Sequence, residues 1–358
     1  MKRSKPLFRT QSSALTLRLW EFTGTVLLTL FVWIFLLVFL SPLSYMLVTS
    51  LRSSDEFRDS TAPLYPAERV TFDYQGQTYQ LYKVPTPDGV IHDWALVNPR
   101  VTSSQFMDPA HPQQGLITWK GYYRSLDGVY RFRLYWQNYL NVWKAVNYLQ
   151  LLRNTMVLVV LTEIGVLFSS IAVAYGFSRF RIPGGRFLFF LLIATIVIPD
   201  SITLVPSYFL FTRIFHWDGT YYPLILPAFF GNAIYIFLLR QNFRSIPRDL
   251  DEAAMLDGAG PLRTLISIII PQAIPAIVTV ALLQFFNTWN EMRMASLYLG
   301  VRPDLQPISF SAQAYFSYGF TPEVLQTSAV MLMVIPLLVL FLSQRFFMQD
   351  MVVTGTEK

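Results

Sequence analysis

The chain has 358 residues, 53% of them hydrophobic and only 14% charged, and its mean hydropathy of +0.40 excludes an ordinary soluble globular protein. Cysteine is absent, which excludes disulfides and thiolate chemistry, and with only His92, His111 and His216 a multi-histidine metal centre is not expected. The formal charge of +6 matters through its placement in loops, and nucleic acid is not expected as a partner.

A bilayer core of about 30 Å needs about 20 apolar residues as helix, because hydrocarbon cannot satisfy stray backbone amides and carbonyls. The stretch 1–21 holds Lys2, Arg3, Lys5, Arg9 and Arg18 before its first acid, Glu21, and residues 22–51 then carry no charge. This first span is too long for a signal-peptide core and lacks a small-residue cleavage site, so it reads as a retained anchor with 1–21 in the cytoplasm. Five more spans are predicted at 154–178, 187–212, 219–239, 264–290 and 324–344, whereas the run 294–301 is too short to cross. Arg179, Arg181 and Arg186 mark one inside loop, and Arg240, Arg244, Arg248 and Arg263 another. The expected fold class is therefore an all-α membrane protein of six transmembrane helices, with both termini, including the tail 348–358, in the cytoplasm.

Residues 52–153 fall outside in this scheme, with acids and bases balanced at nine each between 53 and 152. This is long enough for a small ectodomain with β-structure. Residues 70–84 alternate around Gln75-Gly76, with Phe72, Tyr74, Tyr79 and Tyr82 predicting a hairpin, while 85–89 and 98–112 read as turns. The densely aromatic stretch 122–143 fits a membrane-interface belt and a small core, or else carbohydrate stacking.

Between the fourth and fifth spans, Ser245-Ile246-Pro247 opens a short helix carrying Asp249, Asp251 and Glu252 in its first turns. Leu250, Ala253 and Ala254 recur at helical spacing, an apolar ridge of mostly small side chains suited to a protein groove. Gly258 and Gly260 end this helix, and Pro261 starts another that runs into the fifth span.

At these residues the chain resembles the permease subunits of binding-protein-dependent ABC importers, whose motif is Glu-Ala-Ala, three residues, Gly, nine residues, Ile, any residue, Leu-Pro. Glu252-Ala253-Ala254, Gly258, Ile268 and Pro271 match, and Ile270 stands where Leu is usual. The flanks Arg240-Gln241, Asp257-Gly258-Ala259, Trp289-Asn290-Glu291 and Gln344-Arg345-Phe346-Phe347 are similar to the smaller permease of maltose-type carbohydrate transporters. The likeness covers 138 onward, the first span and 50–57, while residues 64–130 look inserted relative to that type.

The resemblance implies a coupling helix at 247–260 seated in a cleft of an ATP-binding subunit, with Glu252, Ala253, Ala254, Asp257, Gly258 and Pro271 as the coupling residues, inside a permease core at 154–347. It implies a bacterial cytoplasmic-membrane location in contact with lipid. Its partners are a second homologous permease, two ATP-binding subunits, an extracytoplasmic solute-binding protein and a carbohydrate substrate. ATP and Mg would be bound by the partner ATPase. This chain has no Gly-Lys pair and hence no phosphate loop, so no cofactor, catalytic residue or metal ligand is expected in it, and no enzyme activity.

For the substrate pathway the candidates are Asn232, Asn287, Trp289, Asn290 and Glu291, polar or aromatic groups at membrane depth, with Asp200 and Glu163 as further charges. Interhelical hydrogen bonding is the competing role for each. Pro199, Pro206, Pro223, Pro227, Pro271 and Pro275 lie in or beside spans, either as helix breaks for a rocking bundle or as ordinary membrane prolines. An importer of glycerol phosphate or another small solute shares this architecture, although an anion calls for buried bases and Arg293 is the exception found. A receptor with a ligand-sensing ectodomain lacks the expected cytoplasmic signalling domain.

Overall fold

The computed structural model describes residues 14–59, 61–311 and 321–354. Lys2, Arg3, Lys5 and Arg9, and the last four residues of the tail, lie outside the described residues. The chain divides into two compact units, Met1–Tyr135 and Trp136–Lys358.

The first unit begins with helix α1, Ala14–Ser50. From Phe22 to Phe39 its large apolar side chains are exposed in every direction, which in water would be untenable and in a bilayer is the ordinary state of a lipid-facing helix. Strands β1 (Ala67–Arg69), β2 (Thr71–Tyr74), β3 (Gln77–Pro85), β4 (Ile91–Asn98), β5 (Ser103–Met107), β6 (Ile117–Lys120) and β7 (Tyr130–Phe132) follow. β2 to β6 form an antiparallel meander in sequence order, and β1 pairs with β7. The expected hairpin is present: Tyr74 pairs with Gln77 across Gln75 (φ 52°) and Gly76 (φ 78°), two left-handed residues whose twist suits a two-residue loop. The stretch 98–112, read as turns, contains β5, a short strand whose alternation is obscured by flanking Asn, Pro and Ser. One face of the meander is closed by Tyr82, Val84, Trp94, Phe106 and Leu126, with Phe106 edge-on to Tyr82 and Trp119. Beneath it the buried Glu56 accepts from Arg52 Nε at 2.7 Å and from the amides of Ser53 and Ala67, fixing the start of β1.

The second unit is helical: α2 (Gln137–Ala145), α3 (Tyr148–Arg179), α4 (Gly185–Ile196), α5 (Asp200–Phe209), α6 (Tyr222–Ile225), α7 (Ala233–Ser245), α8 (Asp249–Leu256), α9 (Pro261–Thr264), α10 (Ile270–Gln272), α11 (Ile274–Trp289), α12 (Arg293–Leu299) and α13 (Pro322–Thr354). α3 is the central post. Its Val166, Ala174 and Tyr175 join Tyr235, Ile236, Leu239 and Phe243 of α7 in one apolar cluster, and its Leu151 and Val159 join Phe285, Trp289 and Met331 in another. Asn154 of α3 donates to the carbonyls of Asp304 and Gln306, and Tyr148 to that of Met331, so the loop after α12 and the last helix are tied to the same post.

Among the described residues, Phe22–Ser50, Tyr148–Arg179, Tyr222–Ser245 and Pro322–Phe346 are each long and apolar enough to cross a membrane. The third and fifth expected spans, 187–212 and 264–290, are not straight: Gly185–Ile196 and Asp200–Ile214 are bent by 93°, and Pro261–Gln272 and Ile274–Trp289 by 81°. Six spans result if each bent pair is one. Proline explains both bends. Pro199 disfavours helical backbone at Ile198 and is itself extended (ψ 135°) as the cap of α5, and Pro275 has no N–H to return to the carbonyl of Pro271 across the break at Ala273.

Candidate functional site

Two sets of residues come together in the second unit. The first is the short helix α8. Its acids Asp249, Asp251 and Glu252 sit in the first turn, where the positive end of the helix dipole favours them. It stops at Gly258, whose φ of +78° lets its amide reach Met255 O at 3.0 Å while Ala259 N reaches Ala254 O at 2.9 Å, a closed C-terminal cap that L side chains resist. Pro261 then begins α9, as its spacing predicted.

The segment that carries α8 is tied to the end of α3 by polar contacts at three places, one on the helix and one on either side of it. Asp251 Oδ2 lies 2.9 Å from Arg179 Nε, both largely buried; Arg179 Nη2 donates to Ile246 O at 3.1 Å, and Tyr175 Oη to Pro261 O at 3.0 Å. Ala254 is buried, whereas Glu252, Ala253, Met255, Leu256 and Asp257 are exposed, Leu256 by 90%. The alanine pair is thus split, one methyl facing the chain's own interior and one facing out. Pro271 lies in α10 beside the bend, not on α8. The Arg179–Asp251 pair joins residues far apart in sequence, where Arg179 reads simply as a charge at the start of an inside loop. An Asp on a helix face otherwise short of bases was the available signal.

The second set lines a cavity of about 380 Å³. Gln284, Asn287 and Thr288, spaced i, i+3, i+4, present one polar stripe along α11, Glu291 follows just beyond its end, and Thr162 of α3 and Asn232 at the start of α7 face the same space. A hydrogen-bonded chain runs through the wall: Gln284 Nε2 donates to Thr288 Oγ1 at 2.9 Å, and Thr288 and Thr162 hydroxyls meet at 3.0 Å. Phe211 and Tyr298 supply aromatic wall, edge-on at 6.1 Å. Asn232 Oδ1 caps α7 through Ile234 N at 2.9 Å, and Glu291 Oε1 accepts Met294 N at 2.8 Å at the start of α12. These two polar groups therefore position helix starts as well as line the cavity.

Of the five pathway candidates, Asn232, Asn287 and Glu291 come together here. Trp289 and Asn290 do not: they border a separate recess with Phe286 and Pro336, and Trp289 is buried against Phe285 at 5.6 Å. Gln284, Thr288 and Thr162 were missed, although the heptad-like spacing of polar residues in an apolar helix was legible. Glu163 keeps both carboxylate oxygens buried and unbonded among the described residues, and Asp200 is exposed, 3.6 Å from Arg293, with each of the two at the first position of its helix.

The chain is 33% identical over 187 residues to the osmoprotective compounds uptake permease protein GgtD of Synechocystis, covering 52% of this chain and 62% of that one. It is 30% identical over 228 residues to the alpha-glucoside transport system permease protein AglG of Rhizobium meliloti, covering 62% and 59%. The match thus spans about 60% of the length of these relatives. In fold it is similar to a chain of a bacterial ABC transporter involved in the import of the acidic polysaccharide alginate, with a TM-score of 0.58 and 20% identity over 99% of this chain and 100% of that one. The family described as binding-protein-dependent transport system inner membrane component matches residues 165–353, more than half of the chain and including α8, both bends and most of the residues that line the cavity. The chain belongs to that family of non-catalytic ABC transporter permease subunits.

Proposed function

We propose that the chain is a permease subunit of an ATP-driven importer for a neutral sugar or oligosaccharide, forming half of a translocation path and coupled through α8 to a separate ATPase. The observation that carries the solute class is the cavity wall. It offers amides and hydroxyls from Gln284, Asn287, Thr288, Thr162 and Asn232 with aromatic faces, and among the described residues its one charged side chain is Glu291. Hydroxyls of a sugar both donate and accept, so they pair with such a wall, whereas a phosphate or carboxylate would meet no cation. Relatives named for alpha-glucoside and diacetylchitobiose support this reading. A relative in Brucella is named for sn-glycerol-3-phosphate, and the lack of a base in the wall argues against that solute here.

The exposed side of α8, with Glu252, Ala253, Met255 and Leu256, supports the coupling role: a rigidly seated helix with small and apolar side chains outward is what an ATPase cleft would grip. In this reading α8 faces the cytoplasm, two ATP-binding subunits hold ATP and Mg, a second permease completes the path, and a solute-binding protein delivers the sugar on the opposite side of a bacterial inner membrane. The decisive experiment co-expresses the chain with a second permease, an ATPase and a binding protein from the same source, reconstitutes the complex in proteoliposomes, and measures uptake of labelled oligosaccharides. ATP-dependent uptake of a neutral saccharide is expected. Uptake without ATP, or failure of any ATPase to copurify, would refute the assignment.

A further inference from the structure

The first unit contains a cavity that transport through the helical unit does not use. It measures about 530 Å³ and is bordered by Asp55, Asp59, Arg69, Gln80, Tyr123 and Arg124, with Tyr82 beside them. That size lies within the range of about 300 to 1,000 Å³ typical of small-ligand sites. Part of its wall is set in place by the fold itself. Asp59 accepts from Thr61 N at 2.9 Å, Thr61 Oγ1 at 2.8 Å and Arg69 Nη1 at 2.8 Å, with the Tyr130 hydroxyl as a fourth donor. Burial alone would raise the Asp59 pKa, but the Tyr130 and Thr61 hydrogen bonds and the Arg69 charge outweigh it and hold the group below its ordinary value, ionised at neutral pH. Arg69 in turn lies 4.4 Å over the Tyr82 ring, and Tyr82 meets Tyr123 edge-on at 6.3 Å. Asp55, Gln80 and Arg124 are exposed around this fixed part.

The lining says what would bind. Two carboxylates and two guanidiniums cancel, so a charged ligand would bring an uncompensated charge. Apolar surface is confined to two tyrosines and Leu126, too little for a hydrophobic ligand. A polyhydroxylated neutral molecule suits it: hydroxyls donate to Asp55 and accept from Arg124 and the Gln80 amide, C–H faces lie on tyrosine rings, and the Asp59–Arg69 pair, already satisfied, holds the wall behind them. We propose that this cavity is a second saccharide site, holding one or two units of a neutral oligosaccharide on the β-unit itself. The proposal rests on the reading of the chain as a carbohydrate permease.

The test is saturation-transfer NMR on the full-length chain in nanodiscs with maltotriose, cellotriose and xylotriose, and trigalacturonate as the anionic control. At least one neutral trisaccharide should give a signal that falls about fivefold in Arg124→Ala and in Gln80→Ala, about the value of one lost hydrogen bond. Both side chains are exposed, so their removal leaves the core intact; Tyr123→Ala should lose the signal as well. Val101→Ala, exposed on the β-unit and outside the lining of either cavity, should leave the signal unchanged. No signal from any neutral trisaccharide, a signal indifferent to all three substitutions, or preferential binding of trigalacturonate would overturn the site. A signal lost only in Asn287→Ala would overturn it while favouring the transport reading. A signal lost with Arg124→Ala from a chain that fails ATP-driven uptake would keep the site and remove that reading.

Discussion

Arg179, in the last turn of α3, and Asp251, in the first turn of α8, form a largely buried ion pair at 2.9 Å, and Arg179 also donates to Ile246 O just before α8. One arginine thereby fixes both the approach to the helix and the helix itself to the post that also borders the cavity. In the coupling role proposed for α8, these contacts are what would pass a movement of the helix to α3. Removing either partner leaves a buried charge, which costs on the order of 3 kcal/mol. Arg179→Ala and Asp251→Ala should each lower the melting temperature of the purified chain, and Arg179→Met combined with Asp251→Leu should recover much of the loss. Singles that melt with the parent would show that the pair carries nothing.

The two alanines of the Glu-Ala-Ala motif should fail differently. Ala254 is buried, so Ala254→Leu overpacks the chain's own interior and should cost about 1 to 3 kcal/mol in unfolding measurements. Ala253 is exposed, and Ala253→Trp should leave the melting temperature unchanged while weakening capture of the ATPase in pull-down and lowering ATP-driven uptake. A normal ATPase complex with Ala253→Trp would argue against a cleft over this face.

Gly258 sits at φ +78° with nothing within 4 Å of where a Cβ would be, so its constraint is conformational, not steric. Gly258→Ala should cost about 1 kcal/mol and Gly258→Asn less, because asparagine tolerates the left-handed region. Gly258→Val should be the worst of the three in both melting and coupled uptake. Equal effects of Asn and Val would mean that crowding, by a partner, sets the requirement.

Much of this was legible from sequence because the signals were local. The charge-free run after Glu21 gives α1, Gln75-Gly76 gives the hairpin, and Gly258 and Pro261 bracket the end of α8 and the start of α9. What escaped depends on helix phase or on tertiary contact. Hydropathy cannot say that 187–212 turns by 93°, since a broken span is as apolar as a straight one. Trp289-Asn290-Glu291 reads as one run in sequence, yet α11 ends at Trp289 and the chain turns at Asn290, so Trp289 and Asn290 border one recess while Glu291 joins Asn287 at the cavity. The burial of Ala254 but not Ala253 follows from α8's docking onto Arg179, a residue some seventy positions earlier.

That division of α11 makes a paired prediction. Asn287→Leu removes a polar group from the cavity and should lower uptake about tenfold, the value of one good hydrogen bond, with unchanged melting. Trp289→Ala empties a core site and should cost about 3 to 5 kcal/mol, with uptake falling only as folded protein is lost. Uptake assays normalised to folded protein separate the two; the opposite pattern would move the pathway to the other side of the helix.

The β1–β7 pair should report on acid. Hydrogen bonds from Arg133, at 2.6 Å, and from Arg131, at 2.8 Å, hold the Glu68 carboxyl down to about 2 from an ordinary 4.5. Because the folded value is the lower one, the pairing stabilises the fold fully above the unfolded value and is lost as pH falls from about 4.5 towards 2. Both arginines are exposed, so solvent screening limits the gain to about 1 kcal/mol or less. Glu68→Gln should therefore melt slightly below the parent at neutral pH, and the gap should close on acidification through that window and shrink in high salt. Tryptophan fluorescence, with Trp94 in the adjoining core, can follow both transitions. A gap that widens as the pH drops would mean that Glu68 is not held by these arginines in the folded protein.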